Sequence, residues 1–307
     1  MMTLPSDQTA PIEYRVFTAR RPGINPDVPP GYESLAWVAN SATLIYGERD
    51  AVLVDTFFTL DHSAMLTDQL AASGKNLTYI YITHAHGDHF FGTNLLKRRF
   101  PNLRAVTPAS VVDRISTRLA ADMQLLRERF PGQIPDDPGV PERLDGASIE
   151  LEGNPLIPIE TGYTDSADST SLHVPSIELV AAGDVVYNGI HPFLAETTAQ
   201  TRLQWIDALD KLEALEPRAV VAGHKIPGHD DHPRNIAETR NYLRDFIRLD
   251  QATDTPRALF DAMIGLYADR ANPGSLWGGA TAAKSEAAIG SSSTVTTAAR
   301  DEQSEEP

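Results

Sequence analysis

The sequence predicts an α/β domain with sheet packed between helical layers. Two observations carry that reading. Short apolar, partly β-branched runs give way to longer stretches of helical character, and this succession occurs twice along the 307 residues. Turn signals such as "GERD" and "FPGQIPDDPGVPERL" separate the runs, and no repeat of fixed period is present.

The proline-rich stretch up to Gly31 reads as a surface segment with a strand at Glu13–Ala19. "AWVANSATLIYGERDAVLVDTFF" then gives strands at Trp37–Tyr46 and Ala51–Phe58 on either side of a turn. Leu60–Ser73 reads as a helix stopped at Gly74, and Leu77–Ile82 as a buried strand. A helix at Asp88–Arg99, a strand at Leu103–Val106 and a helix within Pro108–Phe130 complete the first succession. The second has turn-bounded strands at 148–152, 156–160, 170–174 and 177–182, then a helix at Thr198–Leu215 and a strand at Arg218–Ala222. Helices at Pro233–Leu249 and Pro256–Ala268 follow. From Asn272 the residues turn small, polar and acidic, which predicts a disordered tail in which Trp277 is the one residue able to dock. The chain divides into an N-terminal extension (1–33), a principal domain (34–270) and an acidic tail (271–307).

Composition narrows the functional classes. With 41% hydrophobic and 22% charged residues the chain is globular. A formal charge of −16 disfavours phosphate backbones, so no nucleic-acid partner is expected. Cysteine is absent, which excludes disulfides, a cysteine nucleophile and thiolate metal sites, so any metal is held by nitrogen and oxygen. The opening "MMTLPSDQTAPIEYRVF" does not read as a signal peptide, and no apolar run approaches the length of a membrane span. The expected location is cytoplasmic, with no membrane association; the oligomeric state is open.

Three of the nine histidines fall within "THAHGDHFFG", directly after the apolar strand Leu77–Ile82. A lone histidine is ordinarily a satisfied polar residue. The pattern His84-x-His86-x-Asp88-His89 is a different signal. In an extended loop residues two apart point the same way, so His84 and His86 can grip one ion. Asp88 and His89 lie past the turn at Gly87, where the chain enters a helix, and can face a second ion. Imidazole with carboxylate suits zinc, and also iron or manganese.

This stretch resembles the His-x-His-x-Asp-His signature of the metallo-β-lactamase superfamily, and further motifs follow in the family's order. "AVLVDTFF" looks like the early strand ending in an aspartate that supports the metal loop, here Asp55. "VAAGDVVYN" is similar to the motif whose aspartate, here Asp184, bridges two metals, and "VVAGHKIPG" to the one supplying a second-metal histidine, here His224. The resemblance covers roughly Ser34 to Phe246 and implies an αββα sandwich, the metallo-β-lactamase fold, with one or two zinc ions.

One position departs from the pattern. Where the family usually has a histidine in a "GHT" turn, "ETGYTDSADST" places Tyr163, so the first metal would lack a ligand while Asp88, His89, Asp184 and His224 complete the second. A phenol with a reference pKa of about 10 is a weak ligand. Three arrangements follow: Tyr163 ligates as a phenolate, Asp165 or Asp168 reaches in from the same turn, or the first site is weak and one metal is held tightly. The last is preferred here, with Tyr163 donating a hydrogen bond to a substrate oxyanion or merely packing over the site. His173, in mid-strand, reads as a core residue rather than a substitute ligand.

Tyr187, Asn188 and His191 follow the bridging aspartate and are candidate substrate-binding residues. The aspartates of "GHDDHP" read as helix caps. The implied reaction is hydrolysis of a small-molecule ester, lactone, lactam or thioester, with metal-activated water as nucleophile and Asp88 orienting it. Two alternatives stay open: a mononuclear iron enzyme oxidising persulfides, and a phosphodiester hydrolase.

Overall fold

A computed structural model describes residues 10–285. The first succession contains β1 (Glu13–Pro22), β2 (Trp37–Tyr46), β3 (Asp50–Val54), α1 (Leu60–Ala72), β4 (Asn76–Tyr81), α2 (Gly87–Phe90) and α3 (Thr93–Arg99). It continues through β5 (Arg104–Thr107), α4 (Ala109–Arg129) and β6 (Glu142–Arg143). The second comprises β7 (Ile149–Leu151), β8 (Asn154–Gly162), β9 (Ser169–Val174), β10 (Leu179–Asn188), α5 (Ala199–Glu213), β11 (Ala219–Lys225), α6 (Arg234–Ala252) and α7 (Pro256–Leu266). A last helix, α8, spans 273–285.

The strands form one ladder in the order β6-β5-β4-β3-β2-β11-β10-β9-β8-β7, with β1 antiparallel to β2. Strands β3 to β6 run parallel, as do β10 and β11. Between β2 and β11 the ladder narrows to a single pairing, His224 opposite Asn40. There the ladder turns back on itself, because side chains from both halves share one buried layer: Val52 and Val54 of β3 and Tyr81 of β4 pack with Leu172 and Val174 of β9 and Ala181 of β10. Alternation along each strand sends the intervening residues outward. Ala51 and Leu53 pack on Leu66 and Leu70 of α1 and on Val111 and Ile115 of α4. Val180 and Ala182 pack on Trp205 and Leu209 of α5, Phe246 of α6 and Phe260 of α7. Three apolar layers separated by two half-sheets make an αββα sandwich.

Helix α5 shows how the sequence directs this packing. Trp205, Ala208, Leu209 and Leu212 recur at helical spacing and are fully buried. Thr198 caps its first turn, accepting from the Thr201 N–H. The expected single helix at Asp88–Arg99 is instead two, α2 and α3, broken at Phe91–Gly92. A Cβ at Gly92 would lie 2.8 Å from the Phe57 carbonyl oxygen, so the break lets the backbone dock on the loop after β3. That loop begins earlier than expected, since β3 stops at Val54 and Asp55 enters the left-handed region with φ of 60°.

Within the expected N-terminal extension, β1 pairs with β2 along its whole length. At the other end, residues 273–285 form a packed helix rather than the start of a disordered tail, with Leu276, Ala280 and Ala283 buried and Trp277 set edge-on against Phe260. Small apolar groups at helical spacing suffice here because they join an apolar cluster that already contains Phe246 of α6 and Leu259, Phe260 and Met263 of α7. Residues 286–307 of the expected tail lie outside the described residues. Nor do the aspartates of "GHDDHP" cap α6: Asp230 binds the Arg234 side chain and Asp231 pairs with Lys225.

Ending the chain after Asn272 should therefore destabilise it relative to a chain ending at 285. Burial of Leu276 alone contributes about 2 kcal/mol, and with its neighbours the melting temperature should fall by at least about 5 °C. Thermal denaturation of the two chains checks this; equal midpoints would contradict the docking of α8.

Candidate metal centre

The seam between the half-sheets is where the ligand-type residues meet. From one half, the loop after β4 supplies His84 and His86, and α2 supplies Asp88 and His89. From the other, the turn after β8 supplies Asp165, and β10 and β11 supply Asp184 and His224. Two groups form, with all donor atoms of each within 4.8 Å of one another: His84, His86, Asp165 and Asp184; and Asp88, His89 and His224.

Asp184 lies between the two groups. Its Oδ1 is 3.3 Å from His89 Nε2 and its Oδ2 is 3.1 Å from His224 Nε2, while the Tyr187 hydroxyl donates to Oδ2 at 2.7 Å. A side chain at Gly223 would collide with this carboxylate, so the residue before His224 has to be glycine. In the other group His84 Nε2 and His86 Nδ1 are 3.1 Å apart, and Asp165 Oδ2 is 2.8 Å from His86 Nδ1 and 3.6 Å from His84 Nε2.

Most of the ring nitrogens that face away from the centre are held. Thr83 Oγ1 is 3.0 Å from His84 Nδ1, Asp55 is 2.8 Å from His89 Nδ1, and the Ala39 carbonyl is 3.1 Å from His224 Nδ1. The left-handed backbone at Asp55 is backed by two further bonds, from the Thr83 N–H and hydroxyl, both at 2.8 Å. Asp88 Oδ2 accepts from Arg21 at 2.7 Å and from Asn40 at 2.9 Å. Glu196, held by Arg118 at 2.8 and 3.0 Å, stands 3.4 Å from His86 Nε2.

Burial governs the charge states. It lowers the His84 pKa to about 3, with His89 beside it acting the same way. Burial would also lower His86, but Asp165 and Glu196 outweigh it and raise that imidazole to about 10. His89 rises likewise against burial, because Asp184, Asp55 and Asp88 surround it. Burial would raise Asp88, yet His89, Arg21 and His224 hold it well below the usual carboxylate range.

The donor set fits divalent ions. Among the described residues, the buried atoms His89 Nε2, Asp165 Oδ2 and Asp184 Oδ1 have these ion-pair contacts but no well-directed hydrogen bond, an unfavourable state that a metal relieves. A tetrahedral ion with bonds of about 2.0–2.2 Å holds its donors roughly 3.3–3.6 Å apart, close to the separations observed.

The family model described as the metallo-beta-lactamase superfamily matches residues 35–224. The chain belongs to the metallo-β-lactamase superfamily. A hydroxyacylglutathione hydrolase of Rhizobium meliloti is 29% identical over 163 residues, covering 52% of this chain and 53% of that protein. A metal-dependent hydrolase of the same organism is 25% identical over 181 residues, covering 49% of this chain and 73% of that one. The chain thus spans about half the length of the first relative and about three quarters of the second. A metallo-β-lactamase family protein from Thermus thermophilus shares the fold with a TM-score of 0.59 at 19% identity, covering 86% of this chain and 91% of that chain. A metallo-β-lactamase from Pontibacter korlensis gives 0.56 at 17%, covering 79% and 97%.

Within this superfamily frame the six expected ligands, His84, His86, Asp88, His89, Asp184 and His224, converge. The reading of Tyr163 is corrected. Gly162, at φ of 90°, turns the chain so that Tyr163 leaves the centre and donates to the Glu196 carbonyl at 2.8 Å, while Asp165 two residues on points inward. Burial also raises the Tyr163 pKa, which opposes a phenolate. Asp168 is instead engaged by Arg114 on α4, and His173 stays on β9, half-buried and outside both groups.

A cavity of about 210 Å³ opens on Asp88, Asp184 and His224. Tyr187 lines it; Asn188 and His191 do not. Asn188 donates to the Asp230 carbonyl, and His191 is fully buried against Tyr242, because strand alternation and the turn at Gly189 carry them away. Arg21, Asn40 and Glu196 carry no motif and are visible only in three dimensions.

Replacing Asp165 by Asn should lower metal content by about one ion per chain, whereas Tyr163→Phe should leave it unchanged and Tyr163→His should not raise it. Elemental analysis decides, and metal loss in Tyr163→Phe would return the tyrosine to the ligand set. Asp55→Asn should weaken metal affinity by about 10–100-fold through a loosened His89, measurable by competition with a chelator.

Proposed function

We propose that this chain is a metal-dependent hydrolase of small-molecule carbonyl compounds: esters, lactones, lactams or thioesters. The observation that carries the reading is the pair of adjacent donor groups, with Asp184 of the first within 3.3 Å of His89 and 3.1 Å of His224 of the second, opening on a mostly apolar cavity. Zinc suits the histidine and carboxylate donors, with His84, His86, Asp165 and Asp184 for one ion and Asp88, His89, His224 and Asp184 for the other. When bound, such ions lower the pKa of water to about 7 and polarise the bond under attack. Both relatives are named as hydrolases, which supports the same reaction class here.

The chain's own residues divide the remaining work. Asp88 is locked by Arg21 and Asn40 and held firmly ionised, which makes it an acceptor that orients a water molecule and a weak base for moving protons. Tyr187, whose pKa is raised by burial and by Asp184, stays protonated and fixes the shared carboxylate. Arg118 is engaged by Asp122 and Glu196, so it is not free to take up a phosphate group. This favours small neutral carbonyl substrates over phosphodiesters and agrees with the acidic balance of the chain.

Two histidines with a carboxylate also suit iron. A first site short of one ligand would favour a single iron, and Asp165 beside His84 and His86 supports a fuller donor set instead. Zinc-loaded protein should hydrolyse esters or lactones, lose that activity to a chelator and regain it on adding zinc back. Asp184→Ala should abolish both metal binding and turnover. Stoichiometric iron with oxygen uptake on a persulfide, or preferential turnover of a phosphodiester, would overturn the proposal.

A further inference from the structure

The stretch "NPGSLWGGA" brings three glycines into α8, and they do not serve the same purpose. A methyl group at Gly274 would stand 2.9 Å from the Asn25 carbonyl oxygen, and one at Gly279 would stand 2.8 Å from Leu194 Cβ. Those two glycines are needed for close backbone packing. Gly278 is different. The nearest atoms to an added Cβ there are Asn25 Nδ2 at 3.6 Å and Ala195 Cβ at 3.7 Å, ordinary contact distances, and its backbone is not in the left-handed region. Glycine is the poorest helix former short of proline, so neither packing nor backbone conformation calls for it at 278.

What lies in front of Gly278 is the cavity that reaches the metal centre. Ile24, Val38, Leu125, Phe193 and Ala195 line this cavity with Gly278, Asn25 is the polar side chain nearest that glycine, and Leu125 is 46% exposed at the surface of α4. The same cavity also reaches Asp88, Asp184 and His224 of the metal centre. Apolar side chains interleaved with a few polar groups, leading to the donor cluster, describe a site for a molecule with a polar head and an apolar part.

We propose that Gly278 is a specificity-determining residue: the missing side chain leaves room for an unbranched apolar chain attached to the carbonyl under attack. This rests on the carbonyl-hydrolase reading above and narrows it to acyl compounds carrying such a chain. Longer chains displace more water from apolar wall, so affinity rises with length until the cavity is filled. A side chain at 278 occupies that space and shortens the chain the site accepts.

The test uses the full-length zinc-loaded protein with Gly278→Ala, Gly278→Val and Gly279→Ala. Hydrolysis of p-nitrophenyl acetate and p-nitrophenyl octanoate is measured, together with calorimetric binding of acetate and octanoate. Gly278→Val should lower the octanoyl-to-acetyl ratio of kcat/KM at least tenfold and weaken octanoate binding by a similar factor, with Gly278→Ala intermediate. Melting temperature should hold or rise in Gly278→Ala and fall in Gly279→Ala, which separates a pocket glycine from a packing one. A ratio in both Gly278 variants within twofold of the parent would overturn the proposal. Should the parent hydrolyse neither ester, octanoate binding still decides. Tenfold weakening in Gly278→Val keeps the chain pocket while removing these esters as substrates, and equal binding removes the pocket.

Discussion

Asp88, Asp165 and Asp184 are buried or nearly so within a few ångströms of four imidazoles, and the rest of the centre is arranged around that concentration of negative charge. Removing carboxylates from water is unfavourable unless opposite charge and hydrogen bonds replace the solvent. Each is matched in the structure: Asp88 by Arg21 and Asn40, Asp165 by His86 and the Thr164 hydroxyl, and Asp184 by His89, His224 and Tyr187. The matching is incomplete, since within the centre His89 Nε2, Asp165 Oδ2 and Asp184 Oδ1 have ion-pair contacts but no well-directed hydrogen bond among the described residues. An ion resolves that deficit with charge of the right sign.

The fold places this cluster where backbone is least regular. The strands end, the single pairing of β2 with β11 leaves room, and the loops that leave the sheet carry ligands from both halves. Local strain is concentrated at the same place, in the left-handed Asp55 that orients His89. The glycine before His224 allows β11 to approach Asp184 closely enough for one carboxylate to serve both groups.

Much of this was legible in the sequence. The limits of β2 fall at Trp37–Tyr46 as the β-branched run implies, and the histidine motif locates four ligands in six residues. What stayed hidden depends on direction rather than on residue type. "ETGYTDSADST" contains both Tyr163 and Asp165, and alignment to a histidine motif selects the tyrosine; only the turn at Gly162 reveals that the aspartate faces inward. Arg21 sits in an unremarkable strand and matters because β1 lies beside β2. Residues 273–285 look too poor in apolar groups to fold alone, and they pack because an apolar cluster on the finished domain receives them.

The narrow seam between the half-sheets has a further consequence. Ligands from the loop after β4 and from β10 and β11 sit on opposite sides of it, so an ion held between them is also a cross-link joining the two halves of the sandwich. Because the unfolded chain cannot bring those groups together, ion binding adds to the free energy of folding in proportion to the logarithm of the free metal concentration above the dissociation constant. The stability of the folded sandwich would thereby rise with the supply of metal, and the two halves would be held together less firmly without it.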